Sequence, residues 1–174
     1  NELSDCTLKQ WINNSFLSDE LLIPLLFQIF AGIYSLYTHG GISHLDLHAN
    51  NILVSDTRTH NNCNSYWRYN INKDIFDIPI NGLLVKLWDF GRSSLHSNRQ
   101  KILYSIIKSF NRFFPKHKIS AENIDKLADN LLFNAHILAI SMAFDLWRIT
   151  SHIYNSKSIH EGGCPYSEKL LKKI

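Results

Sequence analysis

Cysteine is scarce: Cys6, Cys63 and Cys164 are odd in number and far apart. A disulfide framework needs an even, denser set, so a reducing compartment such as the cytoplasm is expected. Glycine and proline are few as well, at 7 and 4, which excludes a collagen-like or low-complexity chain. No charge of one sign dominates. The 18 Lys and Arg stand against 15 Asp and Glu for a net charge of +3, and the basic residues form no long run. Nothing therefore argues for a nucleic-acid partner. A basic-then-apolar leader is also absent. The chain opens on Asn1 rather than Met and reads as a segment of something longer. A long apolar stretch, Leu131 to Trp147, is interrupted by Asn134, His136 and Asp145 and is short for a bilayer, so a core helix rather than a membrane span is expected there. What remains is 174 residues, 45% hydrophobic and 19% charged. That is one domain's worth, enough for a sizeable core and too apolar for disorder.

Ser18 followed by Asp19 and Glu20 marks a helix start, a capping side chain and then acids at the positive end of the dipole. Leu22, Leu26, Ile29, Ile33 and Leu36 follow at helical spacing, and Gly40-Gly41 stops the run. Ile52-Leu53-Val54 and Leu83-Leu84-Val85-Lys86-Leu87 read as short strands. The Asn-rich connection 55–82 between them is long for a compact domain and reads as an exposed insertion. Its Tyr66, Trp67, Tyr69, Ile75, Phe76 and Ile78 suggest that it packs on something. Further helices are predicted from about Gln100 to Phe114, closed by Pro115, from Ser120 to before Asn130, and from about Leu131 to Tyr154. Lys169 to Ile174 is a basic, solvated end. His60 and Cys63 have a spacing that could bind a metal, but no second pair sits nearby, so no zinc site is expected.

Two segments carry chemistry. His44-Leu45-Asp46-Leu47-His48-Ala49-Asn50-Asn51-Ile52-Leu53-Val54 lies between the long helix and a strand. Val85-Lys86-Leu87-Trp88-Asp89-Phe90-Gly91 is a strand running into an acid, an aromatic and a glycine. Taken alone, the first could be an Asx-rich turn and the second ordinary turn chemistry. Together, and in this order, they resemble the catalytic loop and the metal-binding loop of the protein kinase family.

That resemblance implies phosphoryl transfer, in which the protein mainly positions an attacking hydroxyl and neutralises phosphate charge. Asp46 takes the part of the catalytic carboxylate that orients the hydroxyl and accepts its proton. Asn51 and Asp89 take the part of Mg2+ ligands, hard oxygens suited to a cation that borrows few donors from protein. His48, Asn51 and Asp89 are the expected ATP-binding positions. Gly91 would give the second loop backbone freedom, and Phe90 would pack on His44. Phe144-Asp145-Leu146-Trp147 is similar to the central helix of the kinase C-terminal lobe, whose Asp accepts hydrogen bonds from the catalytic-loop backbone. Cys6-Thr7-Leu8-Lys9-Gln10-Trp11-Ile12 resembles, loosely, the stretch after the kinase hinge.

The departures also carry meaning. There is no glycine-rich phosphate loop and no strand with the ATP-anchoring lysine, so the small N-terminal lobe is expected upstream of Asn1. Leu45 stands where the family usually has arginine, which implies that a switch driven by activation-loop phosphorylation is absent or altered. The Ala-Pro-Glu motif is missing. His48 stands where Ser/Thr kinases usually carry lysine, as in aminoglycoside-phosphotransferase-like kinases. The insertion, the Asn content and the shortened motifs resemble divergent kinases of large DNA viruses. The expected fold is α+β over residues 1–174: a protein-kinase-like C-terminal lobe, mostly α-helical with short β-strands around the catalytic and metal-binding loops. The expected function is transfer of the ATP γ-phosphate to a Ser or Thr hydroxyl of a protein, with ATP and Mg2+ as cofactors and no membrane partner. The alternatives are a small-molecule kinase and a non-catalytic kinase-like scaffold.

Overall fold

The computed structural model describes residues 6–15, 17–56, 66–79 and 81–156, together with Cys164, Lys169 and Leu171. His60, Cys63 and most of the basic end 169–174 lie outside the described residues. In chain order the elements are β1 (Cys6–Thr7), α1 (Leu8–Asn14), α2 (Asp19–Thr38), β2 (Ile42–Ser43), β3 (Ile52–Asp56), β4 (Tyr66–Ile71), β5 (Asp74–Pro79), β6 (Leu83–Leu87), β7 (Ser94–Leu95), α3 (Arg99–Phe113), α4 (Ala121–Asp129) and α5 (Leu131–Tyr154). Helix and strand are mixed, an α+β composition. Packing resolves two compact units: one of residues 1–35, 47–89 and 146–174, the other of 36–46 and 90–145.

The first unit holds a three-stranded antiparallel sheet in the order β1-β3-β6. Thr7 caps α1 through a capping box with Gln10, the hydroxyl accepting from the Gln10 amide at 3.2 Å and the Thr7 amide donating to the Gln10 side chain at 2.9 Å. Leu22, Leu25, Leu26, Ile29 and Ile33 of α2 are buried. By length and composition alone α2 could cross a bilayer, but these residues face protein, and its Gln28 is committed to the sheet. The Gln28 side chain donates to the Leu83 carbonyl at 3.0 Å and accepts from the Val85 amide at 3.1 Å. One amide side chain thus completes backbone groups along β6, an outer strand of the sheet. Gln28→Ala strands both groups, and an expected loss of about 2 kcal/mol would be read from the denaturant midpoint. An unchanged midpoint would mean that the two backbone groups find other partners.

Pro24 sits inside α2 and has no N–H for the carbonyl one turn earlier, that of Glu20. The Asn81 side chain donates to that carbonyl at 2.6 Å. The helix therefore tolerates its proline because a residue far along the chain supplies the missing donor.

Part of the stretch expected as an insertion is a two-stranded hairpin, β4 against β5, in register from Tyr66↔Pro79 to Ile71↔Asp74. Asn72 takes φ 57 in its two-residue turn, a conformation that Asn tolerates. The cross-strand partners Tyr69 and Phe76 both meet the Phe27 ring of α2, at centroid distances of 5.1 and 5.4 Å. On the opposite face Arg68 and Asp77 form a two-pronged pair at 2.8 and 2.9 Å. Each holds the other charged: the Arg68 guanidinium draws the Asp77 carboxyl below its usual range. Both lie on the open surface, where such a pair adds little stability.

In the second unit Gly40 and Gly41 end α2 for separable reasons. A Cβ on Gly40 would meet the Leu36 carbonyl oxygen at 2.7 Å, and Gly41 takes φ +60. β2 and β7 pair antiparallel, Ile42 with Leu95 and Ser43 with Ser94. The core gathers Ile102, Leu103, Ile106 and Ile107, one face of α3, around Leu45 and Ile137. Asn98 and Ser120 cap α3 and α4 by accepting from the Lys101 and Asn123 amides.

Candidate functional site

The residues singled out in the sequence fall into two groups. In the first unit the ladder of β3 and β6 ends at Ile52↔Leu87. One step beyond it, the Asn51 carbonyl accepts from the Trp88 amide at 2.9 Å. Asn51 and Asp89 are thereby carried to the same end of the strand pair. The Asn51 amide donates to the His48 carbonyl at 2.8 Å, closing a tight turn, and the Lys9 amide at the start of α1 donates to the Ala49 carbonyl at 3.0 Å. Ala49 is fully buried and Asn51 nearly so, whereas Asp89 is exposed. His48, half-buried, lies on this turn.

Asp89 takes φ 58. Backbone freedom was expected at Gly91, but Gly91 instead lies in a 3-10 turn, Phe90–Arg92, and is not among the positive-φ glycines of the described residues. The left-handed position falls on the acid, a residue type that tolerates it better than most. A non-glycine residue held in this region marks a loop whose surroundings over-determine it.

The donors fit a magnesium ion in kind: a charged carboxylate and a neutral amide oxygen, few in number, which leaves most coordination positions to phosphate oxygens and water. Asn51 and Asp89 are the residues that would hold it. Among the described residues, no cluster of three or more His, Cys, Asp and Glu forms a metal cage.

Asp46 belongs to the second unit, and its surroundings there are specific. Leu45, immediately before it, is buried and takes φ 66. The Leu45 amide donates to Asp145 Oδ2 at 3.0 Å, and the Tyr37 hydroxyl donates to the same oxygen at 2.8 Å. Asp145 is fully buried, so these bonds offset the cost of an acid in the core. Burial, together with the carboxylate, pushes the Tyr37 hydroxyl well above its ordinary value; it stays protonated and remains a donor. The backbone that presents Asp46 is thus anchored from α5, as the resemblance implied for Asp145.

The expected contact of Phe90 with His44 is present, with ring centroids 5.0 Å apart and planes tilted by 47°. Two contacts escaped the sequence reading. Arg92 places Nη1 3.3 Å from Asp46 Oδ1, and Ser43 and Ser141 hydroxyls meet at 3.0 Å in the core. A signal for Arg92 was available, a cation directly after Gly91 in a chain whose Leu45 brings none. Nothing local could have joined Ser43 to a residue 98 positions away.

No protein-family model matches the chain, and no solved structure matches it. Two curated proteins of Acanthamoeba polyphaga mimivirus do, each bearing the name "Putative serine/threonine-protein kinase". The first is 30% identical over 137 residues, 78% of this chain and 32% of that protein. The second is 40% identical over 53 residues, 30% of this chain and 11% of that protein. The chain therefore spans about a third of the length of the first relative. The chain is thus a weak homologue of these two viral kinase-named proteins, a likeness consistent with a divergent kinase-like protein.

Proposed function

We propose that the chain is the larger lobe of a protein kinase and that it takes part in moving the γ-phosphate of ATP to a Ser or Thr hydroxyl of a protein. Magnesium, when bound, neutralises phosphate charge. The chain's own residues do the rest. Asn51 and Asp89 hold the ion, His48 lies on the turn that bears Asn51, and Asp46 orients the acceptor hydroxyl and takes its proton. The phosphate-covering glycine loop and the ATP-anchoring lysine would come from a small lobe outside these 174 residues.

The observation that most supports this reading is the Trp88–Asn51 backbone bond at 2.9 Å. Through it, two motifs widely separated in sequence deliver their two oxygen donors to one end of one strand pair. An inert scaffold would have no chemical need of a carboxamide and a carboxylate at those two positions. A small-molecule acceptor is the second reading, favoured by His48 in place of lysine.

Calorimetry on the full-length gene product tests the proposal. Asp89→Ala is expected to weaken magnesium-dependent ATP binding by at least about tenfold, in line with the loss of a charged contact to a bound cation. The metal-independent component should stay as it was. Unaltered affinity would remove Asp89 from the metal site, and wild-type protein without magnesium-dependent ATP binding would favour the scaffold. Labelled transfer to an aminoglycoside but to no protein would favour the small-molecule reading.

A further inference from the structure

We infer that Arg92 is a positioning residue for Asp46: its guanidinium fixes the carboxylate that orients the acceptor hydroxyl. The inference rests on the phosphotransferase reading and adds to it a residue that neither the motif nor the relatives assign.

The 3.3 Å contact runs from Nη1 to Oδ1. The Asp46 side chain is 17% exposed and that of Arg92 42%, so the acid end of the pair is largely removed from water and its attraction to the cation is less screened there. A contact formed by a long, wandering side chain would mean little. Here the backbone beneath Arg92 is tied down on every side within the same unit.

Arg92 closes the 3-10 turn Phe90–Arg92, and the following Ser93 amide donates to the Phe90 carbonyl at 3.0 Å. The Phe90 ring leans on His44, two residues before Asp46. The Ser93 hydroxyl reaches the His44 carbonyl at 3.4 Å, and Lys101 Nζ donates to the Ser93 carbonyl at 2.9 Å. Directly afterwards β7 pairs with β2, Ser94 opposite Ser43, and the His96 amide donates to the Gly41 carbonyl at 2.8 Å. Residues 90–96 are therefore stitched along residues 41–44, and Arg92 is delivered to Asp46 by that stitching.

The residue before Asp46 could not serve. Leu45 is apolar, and its side chain is buried in the core with Ile102 and Ile106. The cation that steadies the acid comes from the far side of the loop, on a segment held by backbone pairing. The orientation of Asp46 is accordingly built into the fold.

The test is a set of rates in the full-length gene product, measured as transfer of labelled phosphate to a generic basic protein acceptor. Arg92→Ala is expected to lower kcat by about tenfold or more, the scale of a mis-set reacting group, with KM for ATP unchanged. Arg92→Lys should recover part of the loss. In an Asp46→Asn background, Arg92→Ala should have no further effect on the residual rate, because the carboxylate that takes the proton, and that Arg92 positions, is no longer there. Several outcomes would overturn the inference while leaving the kinase reading intact: wild-type kcat in Arg92→Ala, a higher kcat, an equal fractional loss in both backgrounds, or a rise confined to KM. Absence of any wild-type transfer that Asp46→Asn removes would instead end the phosphotransferase reading, and the role of Arg92 with it.

Discussion

Asp46→Asn should reduce phosphoryl transfer by about two to four orders of magnitude, the range for loss of a positioned general base, while leaving magnesium-dependent ATP affinity within about twofold. The two readouts separate because the substitution removes a charge and a proton acceptor, not a metal ligand. Asparagine keeps the shape of the side chain and one oxygen to accept from Arg92, so the contact now seen at 3.3 Å can persist as a weaker bond. The cost to stability should stay below about 1 kcal/mol, since a pair with one partner open to water contributes little. Labelled-phosphate assays and calorimetric melting, run on the same preparations, check both halves. Wild-type turnover in Asp46→Asn would eliminate the assigned base. A collapsed melting temperature would show that Asp46 is structural.

Asp145→Ala should have the opposite profile, a large loss of stability from a residue that touches no substrate. Oδ2 of this fully buried carboxylate accepts from both the Leu45 amide and the Tyr37 hydroxyl. Alanine leaves two donors in the core without that acceptor, at about 1–3 kcal/mol each. For a chain of this size, a combined loss of about 3 kcal/mol corresponds to roughly 6–12 °C in melting temperature. There is a second consequence. Leu45 is held at φ 66, a backbone state that a leucine leaves unless its surroundings prevent it. With the anchor gone, Leu45 relaxes and Asp46 loses its presentation, so transfer at permissive temperature should fall too. Asp74→Ala, at an exposed position on the hairpin, serves as the control. Equal melting shifts in the two variants would refute the anchoring role of Asp145.

Much of the fold could be read directly from local chemistry. The helix from Asp19 follows from Ser18 and its two acids, its end from Gly40-Gly41, the close of α3 from Pro115 and α5 from its apolar run, and all are present within a residue or two. Other elements had signals that were outweighed. Thr7-Leu8-Lys9-Gln10 is a capping-box pattern, but it opens a helix of only 7 residues. In the hairpin, Trp67, Tyr69 and Ile71 alternate on β4, and Phe76 and Ile78 on β5. Frequent Asn in this stretch masks the strand pattern, because Asn favours turns wherever it stands. The structure assigns Asn72 to the turn and leaves Asn70 within a strand.

The candidate site divides in the same way. Asp46, Asn51, Asp89 and Asp145 are conspicuous as residue types at particular spacings, and the order of the two loops is written in the chain. What each carboxylate does is not. Asp145 is fully buried and spends an oxygen on two donors. Asp89 is exposed at the end of a strand, and Asp46 faces a guanidinium that follows the other loop. Three acids of one kind acquire three environments. A sequence specifies the nearest few residues of each, which set caps, turns and periodicity. The partners that decide burial and charge lie 46 to 108 positions away, and only packing of the whole chain brings them within hydrogen-bonding reach.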